Sequence, residues 1–104
     1  GLDDYEELSV DILEIPKQHQ IYSNYPNPFN HRTILPVYLS TPASMQYIVF
    51  DLRGNQVLTR DFQLLHAGYH EFNLNMSQMS SGIYFYQFII SDQKHLPQTM
   101  AFIK

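Results

Sequence analysis

The chain has no cysteine, no tryptophan, only 4 glycines and no clustered positive charge. Without cysteine, disulfide scaffolds, thiolate zinc sites and thiol nucleophiles are excluded together, and the redox compartment stays open. The 6 Lys and Arg residues are scattered along the sequence, so the dense positive field that holds a phosphate backbone is missing and nucleic acid is excluded as a partner. No apolar run approaches the roughly 20 residues that a membrane-spanning helix needs. What is present is 44% hydrophobic residues against 15% charged, in 104 residues. That is too apolar for disorder and enough for one compact core.

Charge is unevenly placed. Residues 1–14 hold Asp3, Asp4, Glu6, Glu7, Asp11 and Glu14 with no base, a charge of −6, and the overall −4 leaves +2 on the remainder. The acidic stretch solvates itself, so residues 1–18 read as a linker or the end of a preceding cargo domain, and residues 19–104 as the folded unit. The start at Gly1 reads as a processing boundary, and the chain as the C-terminal piece of something larger.

From there on, short segments rich in Val, Ile, Tyr, Phe and Thr alternate with Gly, Pro, Asn, Asp and Ser at intervals of about ten residues, the pattern of an all-β sandwich. Strands are predicted at 9–15, 20–23, 33–39, 45–50, 56–62, 69–74, 83–90 and 98–103. In the segment 69–74, Phe72 and Leu74 share one face while Glu71 and Asn73 share the other, as in a sheet covered on one side. The segment 83–90 is apolar on both faces and belongs at a sheet centre. Pro36 and Pro97 mark edge positions, because proline cannot donate to a ladder.

Turn chemistry agrees. Asp51-Leu52-Arg53-Gly54 places Asp first and Gly fourth in a type I turn, which makes residues 45–62 a hairpin. Residues 75–81 read as a loop or one helical turn capped by Asn75 or Ser77. Residues 91–94 close the last hairpin.

Four segments occur in a telling order: Tyr25-Pro26-Asn27-Pro28-Phe29-Asn30, Phe50-Asp51-Leu52-Arg53-Gly54, Ser81-Gly82-Ile83-Tyr84-Phe85-Tyr86, and an end at Lys104. Together they resemble the type A C-terminal sorting domain of cargo proteins exported by the type IX, or Por, secretion system, over residues 15–104. Two departures stand out. His31 occupies a position that is usually proline, and the last strand lacks the basic residues that commonly begin it.

The resemblance implies an immunoglobulin-like antiparallel β-sandwich of about seven strands. It also implies a non-catalytic secretion signal that takes a fused cargo from the periplasm across the outer membrane of a Gram-negative bacterium to the surface or medium. The implied partners are the outer-membrane translocon, a sortase-like signal peptidase that removes the domain and anchors the cargo, and the N-terminal cargo itself. No cofactor and no metal are implied. An edge strand would also admit pairing of two copies.

The recognition residues carried over from these motifs are Pro26, Asn27, Pro28, Phe29, Asp51, Gly54, Gly82, Tyr84, Met100, Phe102, Ile103 and Lys104. Each has a plainer structural reading. Pro26 and Pro28 would make an extended, stiff spacer that sets Tyr25 and Phe29, with Phe29 capping the core. Asp51 and Gly54 satisfy a turn. Gly82 permits a tight approach into the central strand, and Tyr84 or Tyr86 buries its ring with the hydroxyl at the rim. The terminal strand is the sharper candidate, since an unpaired edge is extended by strand addition and is read by shape more than by side chains. Met100, Phe102 and Ile103 would dock it, and Lys104 with its carboxylate would mark the end.

Catalytic readings fare poorly. His66 and His70 have helical metal-ligand spacing in a segment that reads as a strand approach. Asp51 and Asp61 lack a pocket, and Ser44, Ser77 and Ser81 lie in no nucleophile elbow. The main alternative is a carbohydrate-binding or purely structural immunoglobulin-like module on a secreted enzyme. It is favoured by 14% aromatic residues and disfavoured by the absence of Trp.

Overall fold

The computed structural model describes residues 17–104; the strand predicted at 9–15 lies outside them. The described residues form eight strands and no helix: β1 Gln20–Ile21, β2 Arg32–Leu39, β3 Ala43–Phe50, β4 Gln56–Leu65, β5 Gly68–Asn75, β6 Gly82–Ile90, β7 Gln93–Lys94 and β8 Gln98–Phe102. Two antiparallel sheets result. One runs β1-β2-β5; the other runs β4-β3-β6, with β7 and β8 both paired to β6 on its far side. This is an all-β, immunoglobulin-like sandwich.

Period-two alternation builds the core. In β2, Thr33, Leu35, Val37 and Leu39 turn inward, and in β3 Ala43, Met45, Tyr47 and Val49 do the same. Tyr84, Tyr86, Phe88 and Ile90 of β6 and Met100 and Phe102 of β8 complete the second wall. Each such apolar side chain contributes roughly 1.5–3 kcal/mol by leaving water. Strand β6 is central, as its sequence suggests, and its outward residues Phe85, Gln87 and Ile89 are half-buried.

Pro36 departs from expectation. Its strand is the middle one of its sheet, between β1 and β5, so the proline does not mark an edge. Its carbonyl accepts the Tyr22 N–H at 3.1 Å, but it has no N–H to return. The Tyr86 hydroxyl supplies the missing donor, bonding the Tyr22 carbonyl at 3.2 Å while accepting the Asn24 N–H at 3.0 Å. A buried phenol from the opposite sheet thus replaces one rung of the ladder. Burial raises the pKa of that phenol above the usual tyrosine value.

The edge strand β4 pairs with β3 through two register shifts, one between Ala43 and Met45 and one between Val49 and Phe50. Such bulges twist an edge away from further pairing. Residues 75–81 contain the expected single turn: Asn75 Oδ1 accepts the Ser77 N–H at 2.9 Å and the Met79 N–H bonds the Met76 carbonyl at 2.8 Å. The last hairpin is tighter than expected. Ser91 and Asp92 alone form the turn, both at positive φ, and Gln93 and Lys94 already belong to β7.

Candidate recognition surface

Strand β8 is built into the fold. Strand β8 pairs with β6 from Gly82↔Phe102 to Tyr86↔Gln98, and buries Met100 and Phe102 completely. Its outer rim is closed by the proline-flanked segment. Ala101 N–H donates to Asn27 Oδ1 at 2.9 Å, Phe29 N–H donates to the Ala101 carbonyl at 3.0 Å, and Ile103 N–H donates to the Phe29 carbonyl at 2.8 Å. The Phe29 ring, also buried, lies 5.2 Å from that of Phe102. The expectation of an unpaired terminal edge is therefore corrected: this stretch of the edge is already covered by the chain itself. Only Ile103 and Lys104 project, and Lys104 N–H donates to Ser81 Oγ at 2.7 Å.

The turn after β3 sits at the same end. Asp51 accepts the N–H groups of Arg53 and Asn55 at 2.9 Å each, and its carbonyl takes the Gly54 N–H at 3.0 Å. The Asn55 amide foremost, with Arg53 assisting, holds the Asp51 carboxyl below the usual carboxylate range. Gly54 has φ of 86°, which explains the glycine. The turn lifts Leu52 into solvent at 68% exposure. Leu52 stands between two grooves, one of about 460 Å³ lined by Phe50, Phe85, Pro97 and Thr99, the other of about 510 Å³ lined by Arg53, Ser80, Ser81 and Ile83. Tyr84 closes the floor of the second with its ring buried and its hydroxyl donated to the Ser80 carbonyl at 2.6 Å.

All four sequence segments thus converge on one pole of the sandwich. The family model described as "Secretion system C-terminal sorting domain" matches residues 23–100. The chain belongs to this family. As such a sorting domain it is a C-terminal secretion signal of the type IX system. Among solved structures it is similar to dimeric latent PorU from Porphyromonas gingivalis, with a TM-score of 0.71 and 11% identity, over 82% of this chain and 9% of that one. It is also similar to the alkylpurine DNA glycosylase AlkC of Pseudomonas fluorescens bound to DNA containing an abasic site analog, with a TM-score of 0.53 and 13% identity, over 84% of this chain and 31% of that one. At such identities these likenesses speak for the fold. No curated protein matches the chain.

Several expected residues of the sorting domain take different parts from those assigned to them. The Pro26-Asn27-Pro28 segment bends at each of its three residues, so it is no straight spacer. Gly82 makes no tight approach: the nearest atom to an added Cβ would be Tyr84 Cε1 at 4.0 Å, an ordinary contact. Where the family usually has proline, His31 adopts φ of 69°, which a proline ring locked near −65° cannot reach. His66 and His70 lie in the corner and strand around Gly68, with His70 Nε2 2.8 Å from the His66 carbonyl oxygen.

Two features of the sorting domain escaped sequence reasoning. Asn24 is buried and donates from Nδ2 to Thr33 Oγ1 at 3.0 Å and to the Pro26 carbonyl at 3.3 Å, which fixes the start of the bend. Tyr25 turns away from the terminal strand and donates its hydroxyl to Glu71 Oε2, where Tyr69 also donates at 2.9 Å. Local sequence carries no signal for that contact, since Tyr25 and Glu71 are 46 residues apart.

Proposed function

We propose that the type IX translocon recognises the pole at which residues 26–29, the Leu52 turn, Gly82–Tyr84 and the projecting end Ile103–Lys104 meet. The domain acts there as a docked label without catalysis. The supporting observation is that the last two residues leave a strand clamped on both sides, so their position is set by the fold and is the same whatever cargo precedes it. Backbone clamping suits a signal read by shape. In this reading the domain passes through the periplasm, and a sortase-like peptidase then separates it from its cargo N-terminal to Gln20, since residues from Gln20 onward are hydrogen-bonded to β2. A second copy would pair through β5, because β8 is closed and the bulges of β4 turn that edge away.

Export of a reporter fused ahead of residue 1 tests the docking step. Removing residues 99–104 also removes the core residues Met100 and Phe102, so the informative variant lacks only Ile103 and Lys104. A soluble, folded protein of that kind retained in the periplasm is the expected result. Its normal secretion would refute the reading. N-terminal sequencing of the released domain locates the cut, and a cut anywhere from Gln20 onward would refute the proposed cleavage position.

A further inference from the structure

The outer face of the β1-β2-β5 sheet carries exposed aromatic rings that the recognition pole does not use. Tyr22 follows β1, Tyr25 bridges to Ile34 of β2, and Tyr69 is the second residue of β5; their exposures are 40%, 45% and 53%. Pro36 lies among these strands, paired with Glu71 and bonded to Tyr22, and is buried. Glu71 Oε2 accepts both the Tyr25 and the Tyr69 hydroxyls, so two of the three rings are held in place before anything binds. Among the described residues, Glu71 Oε1 receives no hydrogen bond and the carboxylate meets no cation. All six Lys and Arg residues of the chain are among those described, and residues 1–16 contain no Lys, Arg or His.

A preorganised anion flanked by tyrosines lacks the partner its chemistry calls for. The phenol bonds, that of Tyr25 foremost, hold the Glu71 carboxyl below its usual range, so it stays charged in mild acid. The rings of Tyr22 and Tyr69 stand 6.2 Å apart and are tilted by 54°. Tilted rings make the walls of a cleft, whereas a sugar chain stacks on rings that are close to coplanar. Aromatic rings beside a carboxylate suit a cation, and a planar guanidinium in particular can stack on a ring while bonding an oxygen.

We propose that Tyr22, Tyr25, Tyr69 and Glu71 form a binding site for an arginine side chain presented by a partner protein. The site lies on the sheet that does not contain the terminal strand, so it stands or falls independently of the docking reading above. The test is an NMR titration of the full 104-residue chain with acetyl-Gly-Arg-Gly-amide, its citrulline counterpart and cellohexaose. The arginine peptide should shift the ring signals of Tyr22, Tyr25 and Tyr69 and bind about tenfold more tightly than the uncharged citrulline peptide. Glu71→Gln, which keeps an acceptor oxygen for the phenols, should weaken the arginine peptide by a similar factor with the amide spectrum otherwise intact. Tyr22→Ala, which breaks none of the bonds to Glu71, should weaken it as well. Equal binding of the citrulline peptide, an arginine peptide that leaves all three rings unmoved, or a preference for cellohexaose would each overturn the proposal.

Discussion

Replacing Tyr86 by Phe removes one oxygen atom from a wholly buried side chain and leaves its ring packing in place. Two backbone groups lose their partner. The Asn24 N–H belongs to a residue 3% exposed and has no water to turn to, whereas the Tyr22 carbonyl belongs to one 40% exposed and can be rehydrated. An orphaned buried donor costs about 1–3 kcal/mol, so the expected loss is about 2 kcal/mol. For a domain of this size that lowers the melting temperature by roughly 10 °C. In urea the midpoint should fall with the slope unchanged, because the surface exposed on unfolding is the same. Hydrogen exchange at the Asn24 amide should accelerate beyond what the global loss explains. A stability change under about 0.5 kcal/mol, with Asn24 still protected, would refute the claim that this hydroxyl replaces the rung that Pro36 cannot form.

Phe102→Ala should cost about 3–5 kcal/mol in a urea melt and release Phe29 from the terminal strand; a loss below about 1.5 kcal/mol would show that the ring pair is not what fastens the strand. Asp51 ionises more readily in the folded turn than in the unfolded chain, so its contribution is present above the ordinary carboxylate value near 4 and is lost as pH falls through the lowered one. Stability of Asp51→Asn measured against pH should therefore decline less steeply at the acid end than that of the parent. A tag appended after Lys104 should block export of a reporter while leaving the melting temperature unchanged. Equal export of tagged and untagged proteins would count against recognition at that pole.

The strands were legible because their signal is local. Alternation in the segment that becomes β5, the apolar run that becomes β6, and the Asp51-to-Gly54 turn depend on neighbours within a few residues. Pro36 was misread because an edge is a property of the sheet. Nothing near it in sequence announces that residues 20–25 return to its far side, or that a phenol 50 residues later takes over its missing bond. The clamp on β8 was hidden for the same reason, since Asn27 and Ala101 are 74 residues apart. The structural reading of Phe29 as a core cap holds: its ring is buried and packs on Phe102.

That coupling of Phe29 to the terminal strand would let a signal be strict about shape while indifferent to what it carries. Strand β1 begins opposite Tyr38, and His19 Nδ1 accepts the Ser40 N–H at 3.1 Å, so the chain enters at the pole where β2 ends. It leaves where β2 begins, beside Phe29 and Ser81. With eight residues in β2, the two poles are roughly 25 Å apart. A cargo fused ahead of residue 17 would therefore join at the pole opposite Ile103 and Lys104. A short unfolded peptide of the same terminal sequence would offer Ile103 and Lys104 equally, yet would have to lose its conformational freedom on docking, at roughly 1–2 kcal/mol per ordered residue. The sandwich meets that cost in folding, before the partner is encountered. Loss of the fold should therefore be as damaging to recognition as loss of the tail.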